Sequence, residues 1–216
     1  MPEVSMMSTL NKIAFFQNRR DEVPNQKLAR QLAANADKKG IKEIAENLWN
    51  DNQNIQSDCL KVLYEVGYLR PELIAGYAND FLKLLNSKHN RLAWGSMIAL
   101  STIAELKAEV IMSRFDQIKG VMEGGSVITM DNGVKTLALV AASDEARRKK
   151  VFPYLLKHLE TCRPKEVPQH SEKTLPAVNA ANKKQFVAVL ETRMTDMTAA
   201  QAARVKKVIK EAQKRA

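Results

Sequence analysis

Apolar residues recur along this chain at spacings of three and four, which is the period of one face of an α-helix. In the stretch that ends at Leu85, they fall at Ile74, Tyr77, Phe81, Leu84 and Leu85. Strict alternation, which is typical of strands, is scarce, and the one short run that suggests a strand is SVIT at 126–129. The pattern therefore predicts an all-α protein.

The helical pattern also repeats along the chain. Four segments align at a spacing of 37 or 38 residues: KVLYEV at 61–66, IALSTI at 98–103, KTLALV at 135–140 and KTLPAV at 173–178. The third position is always leucine, and the sixth is always valine or isoleucine. Residues three apart share a helix face, so each segment presents the same apolar stripe. Weaker copies flank the four, KLARQL at 27–32 and KVIKEA at 207–212.

Each repeated segment follows another amphipathic stretch, so the repeating unit is an antiparallel pair of helices. The first helices are predicted at 41–49, 72–85, 109–122 and 145–160. A single pair cannot bury its apolar face, but stacked pairs can. The sequence therefore predicts one domain over 1–216, an α-α superhelix of about five or six pairs. Within it we expect a capping pair at 1–36, four repeats at 37–180 and a basic helix pair at 181–216.

Several residues predict where helices begin and end. Pro71 suits the first position of a helix, and Ser143, which precedes two acidic residues, suits an N-terminal cap. Thr198, followed three residues later by glutamine, predicts a capping box for the last helix. Pro176 interrupts the fourth repeat and should kink or end its second helix. Trp49 closes a first helix on its apolar side, which predicts a core position.

The unit LLNSKHNRLAWGSMIALSTIA at 84–104 resembles a HEAT repeat. Two leucines end its first helix, a polar turn follows, and Leu92 opens the second helix ahead of Leu100 and Ile103. The resemblance covers roughly 37–180 and is to the HEAT and armadillo type of helical repeat. It implies a superhelix whose second helices line a concave binding surface. It does not imply a particular function, because one repeat fold serves many.

Charge is unevenly placed. The net charge is +10, from 34 basic and 24 acidic residues. Basic and acidic residues number 10 and 11 in 1–80, 12 and 8 in 81–160, and 12 and 5 in 161–216. The C-terminal half thus carries nearly all of the positive excess, and its functional interpretation is attraction to an acidic partner such as nucleic acid, an acidic protein or a membrane surface. A solvated basic helix end accounts for the same charges.

The sequence contains no familiar catalytic or metal-binding motif. The three histidines form no H-E-x-x-H, and no Cys/His cluster has metal-ligand spacing. Cys162 and His170 are separated by seven residues across a proline-containing loop, which favours an ordinary cysteine over a metal ligand. The sequence therefore predicts no enzyme activity, no cofactor and no metal.

The sequence also predicts the cellular compartment of the protein. The two cysteines, Cys59 and Cys162, lie far apart, which fits a reducing compartment. No run approaches the ~20 apolar residues of a membrane span, and the first residues do not have the pattern of a signal peptide. We therefore expect a cytoplasmic protein, and the pattern indicates no oligomeric state.

The repeated segments supply a candidate partner-binding stripe. Lys61, Lys135 and Lys173 precede their core leucine by two positions, about 200° around the helix, and should point away from the core. Four other side chains lie one helical turn from the first position of a repeated segment: Tyr64, Trp94, Asp131 and Gln169. Since the HEAT resemblance places second helices on the concave surface, these seven residues are the candidate site. Exposed lysines are common on any helix, which is the competing interpretation.

Three functions follow from these observations. The favoured one is a scaffold that binds a macromolecular partner, preferably a protein, on its concave face. The second is nucleic-acid binding through the basic C-terminal half, which would depend steeply on salt. The third is suggested by the alkylpurine DNA glycosylases, which are HEAT-like and use aromatic and acidic residues on a basic concave face. Trp94 and Asp131 would fill those two roles.

Overall fold

The computed structural model describes residues 8–215 of the chain, and all of its regular structure there is helical. The α-helices of this part are α1 (Val23–Ala34), α2 (Lys38–Glu46), α3 (Gln53–Leu69), α4 (Ala78–Leu84), α5 (Asn90–Ile103), α6 (Ala108–Met112), α7 (Phe115–Glu123), α8 (Val127–Ala142), α9 (Glu145–Thr161), α10 (Val167–Thr174), α11 (Lys183–Arg193) and α12 (Ala199–Gln213). Short 3-10 helices occupy Thr9–Lys12, Asn47–Trp49, Pro71–Leu73, Ala75–Tyr77, Leu175–Ala177 and Met194–Asp196.

The helices form two layers. The second helix of each pair packs against the second helix of the next, in the order α1, α3, α5, α8, α10 and α12. We call this the second-helix layer. The first helices α2, α4, α7, α9 and α11 pack against it, with α6 preceding α7. The prediction of an all-α stack of helix pairs is confirmed.

The repeated leucines form the core of this stack. Leu63, Leu100 and Leu137 are fully buried, and so is the valine or isoleucine three residues after each of them. Burial of one such side chain stabilises the fold by roughly 1.5–3 kcal/mol. The repeat therefore recurs because every second helix must present the same stripe to its neighbours.

The fourth repeat departs from this pattern. Leu175 is only partly buried, although Val178 is buried. The α-helix ends at Thr174, and the chain continues as the 3-10 helix Leu175–Ala177. Pro176 causes this change, because it has no N–H to donate and its ring clashes with the preceding turn of an α-helix.

Two of the expected first helices are broken rather than continuous. The stretch predicted at 72–85 begins with two 3-10 helices and becomes α-helical only at Ala78. The stretch predicted at 109–122 divides into α6 and α7 at Ser113 and Arg114, whose backbone N–H groups bond to carbonyls four and three residues back. The apolar period is kept across both breaks, so it identified the buried face but not the continuity of the helix.

The observed helix ends agree with the predictions in part. The capping box of α12 is present, with the Thr198 hydroxyl and the Gln201 side chain each bonded to the other's backbone. The cap of α9 is Asp144, whose carboxylate accepts the backbone N–H of Arg147 at 2.8 Å, rather than Ser143. The run SVIT is not a strand, since Ser126 caps the start of α8.

The prediction that Trp49 lies in the core is wrong. Its side chain is 50% exposed, and its neighbour Leu48 is fully buried. The α-helix ends at Glu46, and the last three residues wind more tightly as a 3-10 helix. A tighter turn shifts the helical phase, so Trp49 rotates outward and Leu48 takes the buried position.

The N-terminal segment closes one end of the second-helix layer. Residues 1–7 of the expected capping pair lie outside the described part, and the rest consists of Thr9–Lys12 and α1. Asn25 of α1 accepts the backbone N–H of Ala14 at 2.9 Å and donates to Asp58 of α3 at 2.8 Å. Asp58 also accepts the backbone N–H of Phe15 at 2.8 Å. These bonds hold the segment between Ala14 and α1 beside α3. Among residues 8–215, no helix has the length and apolarity to cross a membrane.

Candidate functional site

All seven candidate residues lie on helices of the second-helix layer. α3 carries Lys61 and Tyr64, and α5 carries Trp94. The other four candidates lie on α8 and α10: Asp131, Lys135, Gln169 and Lys173. The structure divides them into two groups, an aromatic cleft at the N-terminal end and a cluster around Asp131. The candidate stripe of lysines is not continuous, because the first position of the repeated segment on α5 is Ile98, which is buried.

The aromatic cleft is a cavity of about 540 Å³ between the N-terminal segment and helices α3 and α5. Lys61, Tyr64 and Trp94 all line it. The rings of Tyr64 and Trp94 lie 6.4 Å apart at a tilt of 54°. Tyr64 is buried and Trp94 is half-buried, so the tryptophan presents part of its ring to the cleft. Burial raises the pKa of Tyr64 to about 12, which keeps its hydroxyl protonated.

Lys61 forms ion pairs within the protein and does not project freely into solvent. Its side chain is only 11% exposed, and its Nζ lies 2.8 Å from the Glu22 carboxylate and 2.6 Å from that of Glu65. Nζ also lies 4.8 Å from the centre of the Tyr64 ring. Burial opposes the charged form, but hydrogen bonds to the two glutamates outweigh it and raise the pKa of Lys61. Lys61 therefore forms part of the cleft wall, with its charge neutralised.

Tyr68, which the sequence pattern did not single out, connects the two groups. Its ring lies 6.2 Å from the Tyr64 ring and 5.7 Å from the Nζ of Lys135. It is about half exposed, at 52%. Lys135 is half-buried, and burial lowers its pKa although Glu105 acts in the opposite direction. The signal for Tyr68 was present in the sequence, since it follows Tyr64 by one helical turn.

The second group centres on Asp131. Its Oδ1 accepts the Nε2–H of His170 at 2.6 Å, and its Oδ2 accepts the amide of Gln169 at 2.7 Å. The Nζ of Lys173 lies 3.7 Å from the same Oδ2. Burial lowers the pKa of Lys173, the neighbouring Lys135 charge adds to this effect, and Asp131 opposes it. Both carboxylate oxygens of Asp131 are thus engaged in joining α8 to α10.

His170 leads from Asp131 to a further set of polar side chains. It is fully buried, and its Nδ1 lies 2.9 Å from the Nε2 of His158 on α9. Donor atoms of His158, Cys162 and His170 all lie within 4.8 Å of one another. Burial, with a smaller contribution from His170, lowers the pKa of His158 to about 4, so this histidine is neutral at pH 7. In the sequence, Cys162 and His170 stood out as a pair, whereas His158, four residues before Cys162, did not.

The excess positive charge lies mostly outside these two groups. On α12, Lys206, Lys207 and Lys210 are exposed. Arg204 of the same helix pairs with Glu172 of α10. A basic surface therefore exists on the C-terminal pair, apart from the lysines of the candidate stripe.

The fold is similar to several solved structures of engineered proteins. A crystal structure of one engineered protein matches 96% of this chain and 97% of its own, with a TM-score of 0.66 and 17% identity. A second matches 96% and 99%, with a TM-score of 0.63 and 17% identity. A designed armadillo repeat protein in complex with the peptide (KR)4 matches 96% and 100%, with a TM-score of 0.67 and 12% identity. No protein-family model and no curated protein matches the chain. At these identities the likeness establishes the helical-repeat fold alone.

Proposed function

We propose that this protein is a non-enzymatic, cytoplasmic scaffold of the HEAT type that binds an extended segment of a protein partner along its second-helix layer. One observation carries the proposal: Lys61, Tyr64 and Trp94 meet in a single cleft of about 540 Å³. The cytoplasmic location is supported by the free thiols of Cys59 and Cys162, which suit a reducing compartment.

The cleft has the chemistry of a side-chain pocket. Tyrosine and tryptophan dominate binding energy at interfaces because they offer a large apolar area for little loss of side-chain entropy. The ring of Trp94 is partly accessible, and Tyr64 packs behind it. An apolar side chain of the partner therefore finds an aromatic wall here. The designed armadillo repeat protein of similar fold was solved with the peptide (KR)4, which supports peptide binding as a use of such a fold.

The charges along the layer suggest the composition of the bound segment. Beyond the cleft, Tyr68 and Lys135 follow, and then Lys173. The cleft itself is lined by Arg19, Arg20 and Arg91 as well as by acidic residues. We propose a segment with one aromatic or long aliphatic side chain for the cleft and acidic residues on the side that faces Lys135.

A peptide-display selection with the purified protein tests this function. Selected peptides should carry an apolar anchor beside acidic residues, and Trp94→Ala should weaken their binding at least tenfold in fluorescence anisotropy titrations. Trp49→Ala is the matched control, because Trp49 is equally large, is exposed, and does not line the cleft. Equal losses in the two variants, or none in Trp94→Ala, would place the binding surface elsewhere.

Nucleic-acid binding is the second candidate function. The exposed lysines of α12 support it, and they suit phosphate contacts better than the lysines of the candidate stripe do. Lys61 and Lys173 are already paired with carboxylates, which reduces their value as phosphate contacts. Titration with single- and double-stranded DNA and RNA at about 50 and 200 mM salt tests this candidate, since phosphate neutralisation makes affinity fall steeply with salt. Changing Lys206, Lys207 and Lys210 to Glu together should abolish such binding. Binding that survives this change would exclude α12 as the contact surface.

We also propose that the protein has no enzyme activity, and the contacts of Asp131 support this. Both oxygens of Asp131 accept hydrogen bonds from α10, which directs the carboxylate toward the neighbouring helix rather than toward a substrate. Trp94 lies in the other group, on the wall of the aromatic cleft. An excision assay on DNA with alkylated bases checks this proposal. Activity that disappears in Asp131→Asn would replace the scaffold with a glycosylase-like enzyme.

A further inference from the structure

We propose that His158, Cys162 and His170 form a binding site for a divalent transition-metal ion of the zinc class. The three donors are His158 Nε2, His170 Nδ1 and the Cys162 Sγ, and they lie within 4.8 Å of one another. Imidazole nitrogen and thiolate sulfur are the ligands that zinc prefers. The site lies beyond the aromatic cleft and is independent of peptide binding there.

The fold builds this cluster from two adjacent helices. His158 and Cys162 are four residues apart at the end of α9, so their side chains share one face of the helix. The chain then turns through 163–166, and α10 brings His170 back against α9. Neither the spacing of seven residues between Cys162 and His170 nor the helical pair alone reveals the cluster. Only the packing of α10 on α9 brings the three donors together.

The geometry of the two histidines suits a shared metal ion. Their facing nitrogens are 2.9 Å apart. Two nitrogens bound to one tetrahedral zinc at ~2.0–2.1 Å lie roughly 3.3 Å apart, so these two nitrogens need to separate by only a few tenths of an ångström to share the ion. In the metal-free protein the Nε2–H of His158 donates to the unprotonated Nδ1 of His170. On binding, His158 carries its proton on Nδ1 instead, Cys162 releases its thiol proton to solvent, and both nitrogens and the sulfur donate lone pairs to the ion.

Asp131 orients one of the ligands. It accepts the Nε2–H of the buried His170 at 2.6 Å, which leaves Nδ1 without a proton and directed at His158. A carboxylate on the far nitrogen of a ligating histidine fixes its tautomer and raises its basicity. A buried histidine pair alone would account for His158 and His170. It does not account for the position of Cys162, whose thiol donates a long hydrogen bond of 3.9 Å to the carbonyl of Leu159 and lies within 4.8 Å of both histidine donor atoms.

Arg193 fixes the backbone beside the cluster. Its guanidinium donates to the carbonyls of Leu159 at 2.6 Å and Cys162 at 2.7 Å. Burial raises the pKa of the Cys162 thiol, and the neighbouring Arg193 charge acts in the opposite direction. With three protein ligands, a tetrahedral zinc ion takes its fourth ligand from solvent. The bound ion would fasten α9 to α10, the second helix that Pro176 has shortened at its other end.

Metal titration of the chelator-treated protein tests the proposal. We expect Zn²⁺ to bind with a stoichiometry of one per chain in calorimetry, and Co²⁺ to give a sulfur-to-cobalt charge-transfer band. Cys162→Ser should remove that band and lower Zn²⁺ affinity at least tenfold, and His158→Gln should lower the affinity likewise. The chain has two cysteines and three histidines, so Cys59→Ala and His89→Gln are matched controls that should bind as the parent does.

Two further measurements separate a metal site from a structural histidine pair. Asp131→Asn should lower Zn²⁺ affinity about 10–100-fold while the cobalt band remains, because Asp131 positions a ligand without being one. Zn²⁺ should raise the denaturation midpoint of the parent protein and not that of Cys162→Ser. No saturable binding at one ion per chain, or unchanged affinity and cobalt spectrum in Cys162→Ser, would overturn the proposal.

Discussion

The Nε2 of His170 lies 2.6 Å from the Oδ1 of Asp131, and this hydrogen bond joins α10 to α8 across 39 residues of chain. The same carboxylate accepts the amide of Gln169 at 2.7 Å. Two of the candidate partner-binding residues, Asp131 and Gln169, therefore bond to each other within the protein. The fourth repeat is held to the third by these polar bonds as well as by apolar packing.

Loss of the Asp131 carboxylate should destabilise the protein. In Asp131→Ala the buried His170 and the neighbouring Gln169 lose their acceptor, and leaving such donors unpaired costs roughly 1–3 kcal/mol. Urea denaturation in the presence of a chelator measures the change in the free energy of unfolding. Asp116→Ala is the control, because Asp116 forms an exposed ion pair with Lys119 and such pairs contribute little. Similar changes in the two variants would contradict an internal role for Asp131.

Truncation of the repeated leucines should lower the free energy of unfolding by an amount that depends on how deeply each leucine is buried. Leu137 is fully buried, so Leu137→Ala should lower the free energy of unfolding by roughly 2–5 kcal/mol. Leu175 holds the same position in the fourth repeat but is only partly buried, so Leu175→Ala should cost clearly less. Denaturant titrations of both variants provide the comparison. A negligible loss in Leu137→Ala would mean that the register of the repeat is wrong.

The close approach of α3 to its neighbours should make Gly67 intolerant of a side chain. A Cβ at this position would overlap the Oγ1 of Thr102 and would lie 2.7 Å from the Cδ1 of Ile74. Gly67→Ala should therefore destabilise by about 1–3 kcal/mol through overpacking. Gly120, in α7, has open space where a methyl group would lie, so Gly120→Ala should be neutral or stabilising. Thermal unfolding measures both variants, and an equal shift in the two would contradict the overpacking at Gly67.

Charge reversal at Lys135 should weaken the binding of acidic peptides. Lys135 lies on the second-helix layer beside Tyr68, where the proposed segment would place its acidic residues. Lys135→Glu should raise the Kd of peptides selected by display at least fivefold, and added salt should reduce the difference because it screens exposed charges. Lys184→Glu on α11 is the control, since Lys184 lies on a first helix, away from the second-helix layer. Equal effects of the two changes would indicate only a general response to net charge.

The local pattern alone determined which stretches are helical, how they pair and which stripe is buried. A helix turns every 3.6 residues, so Leu63, Leu100 and Leu137 could be assigned to the core from their spacing. Pro176 ended its helix for an equally local reason, since proline carries no N–H. The capping box that starts with Thr198 is likewise contained within four residues. These features depend on covalent geometry and on neighbours a few positions away.

Tertiary packing decided which side chains meet. It neutralised Lys61 with Glu22 from another part of the chain, and it brought His158 to His170. It also exposed Trp49, because a change from α to 3-10 winding rotated that residue away from the phase that the sequence predicts. Contacts between helices depend on their crossing angle, axial offset and rotation. A one-dimensional apolar period specifies which face is buried, but it does not set those three quantities, so the candidate sites became visible only in the folded chain.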